Sequence, residues 1–358
     1  MNYLIFDMSE VRKTIQNAFK LKVDSHDLIK SAQSLLTKGE NNIIHEFLEL
    51  GHLPAVNNAI SKSSQVDEWL ELILQLINKS NYNIYTLISQ RAIRYNDKPL
   101  FQTISNNKIT PLSYTKSWEI IQSIGSYFQS NLKENNTIGL YSQNNLRNVL
   151  IDLACLSYNI RVVPIPMNLS SDHFEYVIKH AEITHLFLDS SITELSIRDI
   201  NKKKNDVMII DIDNDQAWNQ FLRQCDNISI QKPLLHDLNE LSSVMYTSGT
   251  TDNPKGIIFN QTNIISKRFA RALALPDIGP DDSFLCYLPL YHTFGRWFEM
   301  MGSIFWGTTY TFTETTSFKN LLKDFELSKP SIFISIPKRW IQIYEQIEAS
   351  IDIEKSND

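Results

Sequence analysis

Ten consecutive residues, 247–256 of the 358-residue chain, carry the groups best suited to holding polyphosphate. The segment reads Thr-Ser-Gly-Thr-Thr-Asp-Asn-Pro-Lys-Gly, with four hydroxyls, two glycines and one lysine. Glycines let backbone N–H groups approach anionic oxygens, hydroxyls donate short hydrogen bonds to them, and a lysine adds a mobile positive charge. The order fits neither a Walker A loop nor a dinucleotide GxGxxG loop. We predict a phosphate-binding loop formed by Thr247, Ser248, Gly249, Thr250, Thr251, Lys255 and Gly256; the alternative is a Ser/Thr-rich turn without a ligand.

A second polar and aromatic segment follows about 40 residues later, after a short apolar run. It reads Leu-Pro-Leu-Tyr-His-Thr-Phe-Gly-Arg and runs from Leu288 to Arg296. Arg296 and Glu299 are spaced so that they could pair on one helix face. Taken alone, a histidine after a strand is more often structural than catalytic, and aromatic residues there usually belong to the core.

The first segment resembles the phosphate loop of the adenylate-forming superfamily, roughly Tyr-Thr-Ser-Gly-Thr-Thr-Gly-x-Pro-Lys-Gly. The match covers Tyr246–Thr251 and Pro254–Gly256, and Asp252 stands where the family usually has glycine. The spacing His292-x-Phe294-x-Arg296-x-x-Glu299 is similar to that of the long-chain fatty acyl-CoA synthetases in particular. Residues 330–340, Pro-Ser-Ile-Phe-Ile-Ser-Ile-Pro-Lys-Arg-Trp, also resemble that subgroup, and the whole resemblance covers about residues 84–350.

This resemblance implies an acid–thiol ligase. ATP would activate a fatty carboxylate to an acyl-adenylate, and coenzyme A, the co-substrate, would then accept the acyl group; Mg²⁺ would accompany the nucleotide. Lys255 and His292 would be the catalytic residues. The fatty acid would be bound by His292, Phe294, Arg296 and Trp297, and no residue of this chain is predicted as a metal ligand. An aryl or amino acid is the alternative substrate, which the long-chain type of histidine segment argues against.

Three parts of the family's catalytic machinery do not occur in this sequence. They are a Tyr-Gly-x-Thr-Glu segment with a magnesium-associated glutamate, a later aspartate for the ribose hydroxyls, and a lysine on a C-terminal lid domain. We therefore expect a partial adenylation domain that a second chain could complete. The alternative is a non-catalytic or degenerate AMP-binding-fold protein with a binding or regulatory role, an interpretation that Asp252 favours.

The chain divides into two unlike parts. Residues 1–80 show only helical periodicity, and we predict Ser9 and Ser25 as helix N-caps. Residues 81–358 alternate short β-rich runs with helices, which predicts parallel βαβ units and an α/β fold for the partial AMP-binding domain. The predicted strands are Thr137–Tyr141, Arg161–Ile165, His185–Leu188, Val207–Ile210, Ser243–Tyr246, Phe284–Leu288 and Ile332–Ile336.

Composition excludes several other classes of protein. The net charge of −6 argues against nucleic acid as a partner, because phosphate backbones require a basic surface. Cys155, Cys225 and Cys286 are widely spaced and indicate a reducing, cytoplasmic environment. The most apolar stretch, Met300–Phe312, is too short to span a bilayer. We expect it to be a buried core segment, with peripheral membrane contact as the alternative.

Overall fold

The computed structural model describes residues 7–133, 136–189, 207–247, 253–315 and 317–357. Ser248–Asp252, the centre of the predicted phosphate loop, lie outside the described residues. The described part of residues 7–80 is helical, as α1 (Met8–Phe19), α2 (Ser25–Lys38), α3 (Asn41–Glu49), α4 (Pro54–Ser61) and α5 (Val66–Ser80), with a 3₁₀ turn at Leu50–His52.

Aspartates, rather than the predicted serines, begin the first two helices. Asp7 accepts a hydrogen bond from the backbone N–H of Met8, and Ser9 lies inside the first turn and donates to Asp7. Asp24 accepts from the N–H groups of His26 and Asp27, which places Ser25 at the first helical position. Both predicted caps were therefore one or two residues late. A carboxylate accepts these hydrogen bonds, and its negative charge also interacts favourably with the positive end of the helix dipole. A hydroxyl has no such charge.

The remainder of the described chain alternates helices and strands. The strands are β1 (Pro99–Ser105), β2 (Lys108–Ser113), β3 (Thr137–Tyr141), β4 (Arg161–Pro164), β5 (Ile183–Leu188), β6 (Met208–Asp211), β7 (Leu241–Thr247), β8 (Lys255–Asn260), β9 (Ser283–Cys286) and β10 (Thr309–Phe312). The helices are α6 (Ile84–Tyr95), α7 (Tyr114–Asn131), α8 (Leu146–Ser157), α9 (Ser171–His180), α10 (Asp215–Asp226), α11 (Gln261–Ala274), α12 (Met301–Trp306), α13 (Phe318–Ser328) and α14 (Pro337–Asn357), with a π-helical turn at Phe294–Met300. The α/β fold predicted from the sequence is confirmed.

Two sheets form the α/β part. The larger has the order β6-β5-β3-β4-β7-β8 and is parallel except for the antiparallel β7–β8 hairpin. The smaller has the order β2-β1-β10-β9, with β1, β10 and β9 parallel and β2 antiparallel to β1. Helices between parallel strands bury the sheets, which is why these strands read as nearly continuous apolar runs.

The prediction of a last strand at Ile332–Ile336 is wrong. Ile332 makes only an isolated bridge to Phe284, and its N–H donates to the carbonyl of Ser283 at 3.0 Å. The run then leaves the sheet because α14 begins at Pro337, and the carbonyl of Ile336 already accepts a hydrogen bond from the N–H of Arg339. A proline fits the first turn of a helix, where its missing N–H costs nothing.

The helices of residues 7–80 pack on the α/β part through one continuous hydrophobic core. Phe47 and Leu76, fully buried, belong to the same cluster as Ile265 and Phe269 of α11. The contact is close, since a Cβ atom at Gly51 would lie 2.3 Å from the Phe269 ring. The domain boundary near residue 80 remains a prediction. The helices before it share their hydrophobic core with the α/β part.

Buried polar groups cross the same contact. The carboxylate of Glu49 on α3 pairs with Arg94 and lies 3.6 Å from the guanidinium of Arg91, both on α6. Arg91 is fully buried, and its Nε donates to the carbonyl of Phe305 at 2.9 Å. A buried charge needs such a partner, because taking an unpaired ion out of water is costly.

His52, also fully buried, lies between this cluster and Tyr95. Its Nδ1 is 2.5 Å from the carbonyl oxygen of Glu49, which can only accept, so Nδ1 carries the proton. Its Nε2 therefore accepts from the Tyr95 hydroxyl at 2.6 Å. Burial, followed by the charge of Arg91, lowers the pKa of His52 well below 6.5.

We expect His52 to make the protein less stable in mild acid. The unfolded chain takes up a proton on this histidine below about pH 6.5, and the folded chain does not. The free energy of unfolding therefore falls with decreasing pH in that range, by about 1.4 kcal/mol per pH unit from this group. Urea unfolding of the wild type and of His52→Gln between pH 7 and pH 5 measures it. Other histidines titrate alike in both proteins, so equal slopes would contradict the assignment.

Candidate active site

The predicted phosphate loop lies at the tip of the β7–β8 hairpin. Thr247 at the end of β7 pairs with Lys255 at the start of β8, which closes the base of the loop. Residues 242–246 of β7 are buried, whereas Thr247, Lys255 and Gly256 are exposed. Four of the seven predicted phosphate ligands, Ser248, Gly249, Thr250 and Thr251, lie outside the described residues. The hairpin holds the ends of the loop at the edge of the larger sheet.

Gly256 packs closely against its strand partner at the base of the loop. A Cβ atom there would lie 2.8 Å from Cγ1 of Val244, which would have to shift, whereas the ring of Tyr246 at 3.4 Å would be in ordinary contact. The Tyr246 hydroxyl is 2.7 Å from Nδ1 of His180 on α9, so a side chain from another element fixes the ring. Sequence analysis missed His180, because nothing in its neighbourhood marks it as a partner 66 residues from Tyr246.

The predicted histidine segment forms a turn after β9. The N–H of His292 donates to the carbonyl of Pro289, and the carbonyl of His292 accepts from the N–H of Arg296, each at 3.0 Å. The imidazole is exposed and lies 4.7 Å, centre to centre, from the ring of Tyr291. Although the side chain is exposed, desolvation by neighbouring protein atoms lowers the pKa of His292, which favours the neutral ring at neutral pH. A neutral imidazole can both donate and accept a hydrogen bond.

His292 and Phe294 line an apolar cavity of about 560 Å³. The cavity is also lined by Ile334–Pro337, part of the third segment singled out in the sequence. Phe294 is 59% exposed, so its ring is available to a ligand rather than used in the core. A volume of this size is typical of small-molecule sites, in which apolar walls provide area and a few polar groups fix orientation.

Arg296 and Glu299 do not pair with each other, contrary to the prediction. The fully buried guanidinium of Arg296 forms a bidentate pair with Asp152 on α8, at 2.8 Å and 2.6 Å. Its Nη1 also donates to the hydroxyl of Ser243 on β7 at 2.6 Å. Glu299 instead accepts from the Tyr310 hydroxyl at 3.3 Å, and burial raises its pKa well above the ordinary range. The π-helical turn at Phe294–Met300 holds the two side chains on different partners.

The buried pair ties the histidine segment to the strand that carries the phosphate loop. Arg296 lies four residues after His292, and Ser243 lies four residues before Thr247. Ser243 in turn donates to the carbonyl of Val162 on β4 at 2.7 Å. Asp152 was missed, although a single acid inside the apolar run of α8 was a signal for a buried charge with a distant partner.

Phe294 and Trp297, both predicted to bind the fatty acid, do not line the same cavity. Trp297 is 4% exposed, and the Arg296 guanidinium lies 4.1 Å from its ring centre. Its other neighbour is Phe259 of β8, with ring centres 5.2 Å apart. Trp297 borders a separate groove of about 350 Å³ between β8 and α11. Of the predicted substrate residues, His292 and Phe294 share one cavity, Trp297 lies at the other, and Arg296 is buried.

In the part of the chain that the structure describes, no three His, Cys, Asp or Glu side chains are grouped so that they could hold a metal ion. Nor does any described helix combine the length and hydropathy of a bilayer-spanning segment. The apolar stretch Met300–Phe312 forms α12 and β10 and is buried almost throughout, as predicted for a core segment.

Comparison with known sequences matches most of the chain to a family model. The sequence model of the family described as AMP-binding enzyme matches residues 88–356. Curated relatives include long chain acyl-CoA synthetase 7, peroxisomal, of Arabidopsis thaliana (26% identical over 67% of this chain), and long-chain-fatty-acid–CoA ligase 5 of Rattus norvegicus (28% over 59%). The chain spans about a third of the length of these relatives, 36% and 34% respectively.

Solved structures show the same fold. O-succinylbenzoate coenzyme A synthetase from Bacillus subtilis, in complex with AMP, superposes with a TM-score of 0.59 at 18% identity, covering 73% of this chain and 64% of that chain. The structure of VinN superposes with a TM-score of 0.64 at 15% identity, covering 75% and 65%. Identities this low establish a shared architecture and leave substrate choice to be argued from the residues.

Proposed function

Because the chain belongs to the AMP-binding enzyme family, we propose that it provides the phosphate loop and acid pocket of a long-chain fatty acid–CoA ligase. The supporting observation is the bond from Arg296 to Ser243, which joins the His292 turn to the strand leading into the phosphate loop. A rigid link of this kind keeps a phosphate site and an acid site in fixed register. Fixed register between reactants is a major source of rate acceleration.

The proposed reaction has two balanced steps. A carboxylate oxygen of the fatty acid forms a bond to the α-phosphorus of ATP, and the bond from that phosphorus to the bridging oxygen breaks, releasing pyrophosphate. The thiolate of coenzyme A then bonds to the acyl carbon, and AMP leaves with the electron pair of the broken C–O bond. Mg²⁺ would enter with the nucleotide phosphates. Turnover would also require parts that relatives carry outside the matched third.

Residues of this chain would bind and orient the reactants. Lys255, with Thr247, Ser248, Gly249, Thr250, Thr251 and Gly256, would hold the β- and γ-phosphates through backbone N–H groups, hydroxyls and one positive charge. The neutral imidazole of His292 would donate a hydrogen bond to the carboxylate or to the adenylate phosphate. The apolar cavity beside Phe294 would accept the part of the acyl chain next to the carboxylate.

We expect Lys255→Ala to weaken ATP binding by about tenfold to a hundredfold, because a hydrogen bond to a charged group is worth about 1.5–3 kcal/mol. Thr250→Val should act in the same direction, by less. Titration calorimetry of the whole chain with Mg-ATP measures both. Lys116→Ala is the matched control, since Lys116 is an exposed lysine paired with Glu119 on α7. If Lys255→Ala binds ATP as tightly as Lys116→Ala does, the phosphate-loop assignment is wrong.

A non-catalytic binding role is the second candidate, favoured by Asp252 in place of the family's glycine. An acid beside polyphosphate opposes it electrostatically. ATP–pyrophosphate exchange with a panel of fatty acids separates the two functions. Exchange that depends on a fatty acid supports the ligase, whereas ATP binding without exchange, alone and with a complementing chain, supports the binding role.

A further inference from the structure

Three arginines are buried in the part of the chain that the structure describes, and one of them differs from the others. Arg91 lies near the carboxylate of Glu49, and Arg296 pairs with Asp152. Arg268 on α11 is only 2% exposed, yet no acidic side chain of the described residues forms an ion pair with it. Its Nε donates to a carbonyl of its own helix, that of Ile264, at 3.2 Å.

Three buried nitrogen atoms without a hydrogen-bond partner among the described residues lie at the groove between β8 and α11, while others, such as Nη1 and Nη2 of Arg91, lie elsewhere. Nη1 of Arg268 and Nη1 of Arg271 are buried with no hydrogen-bond partner among the described residues, and so is Nε1 of Trp297. All three side chains line this groove of about 350 Å³. Buried donors are almost always satisfied, because an unmet donor loses its bonds to water without replacement.

The electrostatics agree with the geometry. Burial, followed by the charge of Arg271 one helical turn away, lowers the pKa of Arg268 to about 9. Both causes lower the value, and no acidic side chain among the described residues offsets them. The remaining walls include Phe259 and Ile258 of β8, and Ile258 is 64% exposed. The groove therefore offers two positive forks beside an apolar surface.

We propose that this groove binds the carboxylate or phosphate of an amphiphilic small molecule. Arg268 and Arg271 would take the oxyanion, since the planar fork of a guanidinium matches two oxygens of either group. Phe259 and Ile258 would contact the apolar part. This site is separate from the phosphate loop and from the cavity beside His292, and it does not depend on the proposed ligase activity.

Thermal unfolding of the whole chain tests the proposal with two probes, inorganic phosphate and octanoate, at an ionic strength held constant with chloride. The wild type should melt at a higher temperature with at least one probe, because a ligand that binds only the folded state stabilises it. An octanoate response that Arg268→Met loses identifies a carboxylate amphiphile in the groove, and a phosphate response that Arg268→Met loses identifies a phosphate ligand. An octanoate response that Arg268→Met retains arises at another site, such as the cavity beside Phe294, and overturns a carboxylate ligand for the groove. A wild type that responds to neither probe overturns the proposal.

Arg268→Met should weaken binding of the effective probe by about tenfold or more, since it removes a charge-assisted hydrogen bond. Without the probe it should melt no lower than the wild type, because it removes an unpaired buried charge. Arg91→Met is the matched control and should melt lower, since it strips Glu49 of a partner. If Arg268→Met melts as low as Arg91→Met, the guanidinium has a partner inside the protein and the proposal falls.

A phosphate response could also arise at the phosphate loop, and Lys255→Ala separates the two sites. The groove predicts a response that Lys255→Ala retains and Arg268→Met loses. The opposite pattern assigns the oxyanion to the loop and overturns the groove site. If Lys255→Ala loses ATP binding but keeps the phosphate response that Arg268→Met loses, the loop and the groove are supported independently of each other.

Discussion

Replacing Asp152 with alanine is expected to lower the free energy of unfolding by about 3–5 kcal/mol, the usual cost of breaking a buried ion pair from one side. The substitution leaves the fully buried guanidinium of Arg296 without its bidentate carboxylate. Among the residues that the structure describes, only the Ser243 hydroxyl would remain as a hydrogen-bond partner, and it carries no charge. Urea denaturation followed by far-UV circular dichroism measures the change.

Asp215→Ala is the control for this prediction. Asp215 also pairs with an arginine, Arg147, but its side chain is 80% exposed. Exposed pairs contribute only about 0–1 kcal/mol, so this variant should unfold almost like the wild type. The double variant Asp152→Leu/Arg296→Met should recover much of the lost stability, because it removes both buried charges. Equal losses for Asp152→Ala and Asp215→Ala would show that the buried pair does not stabilise the fold.

Glu49→Ala is expected to destabilise the protein by about 3 kcal/mol, because it leaves the buried Arg91 without a carboxylate. The same change removes the partner of Arg94, which is one-third exposed and adds less to the loss. Since Glu49 lies on α3 and both arginines lie on α6, the loss falls on the contact between the N-terminal helices and the α/β part. Equilibrium unfolding in urea gives the magnitude.

Glu46→Ala, on the same helix α3, is the matched control. Glu46 is exposed, and its removal should change the free energy of unfolding by less than about 0.5 kcal/mol. If both glutamate variants unfold at the same urea concentration, the cluster around Arg91 does not hold this contact together.

Local patterns were enough to predict most of the elements but few of the partners. The β3 run Thr137–Tyr141 is predicted to the residue, because a short, mostly apolar run bounded by polar residues is typical of a buried strand, and all five residues are buried. Helix starts were misplaced where Asp7 and Asp24 precede the serines, since both residue types cap well. The run from Ile332 failed because the helix beginning at Pro337 takes over its second half.

The candidate site also shows that local sequence patterns reveal elements and motifs but not the distant partners of their side chains. The phosphate loop and the His292 turn were found because their chemistry is written in consecutive residues. The pairing of Arg296 with Asp152, 144 residues away, could not be read from spacing, and the local alternative, Glu299, was chosen instead. The unpaired guanidinium of Arg268 was also invisible in the sequence, because its peculiarity lies in what it does not contact among the described residues.

The close contact between the 3₁₀ turn and α11 bears on how related chains can differ. One face of α11 packs against the N-terminal helices: Phe269 lies against Gly51, and Ile265 belongs to the shared hydrophobic core. A homologue that has the AMP-binding part without these preceding helices would leave those side chains facing water. Such a homologue must carry polar residues at the corresponding positions or cover them with another segment. The polarity of this face of α11 in a homologue therefore indicates whether the preceding helices are present.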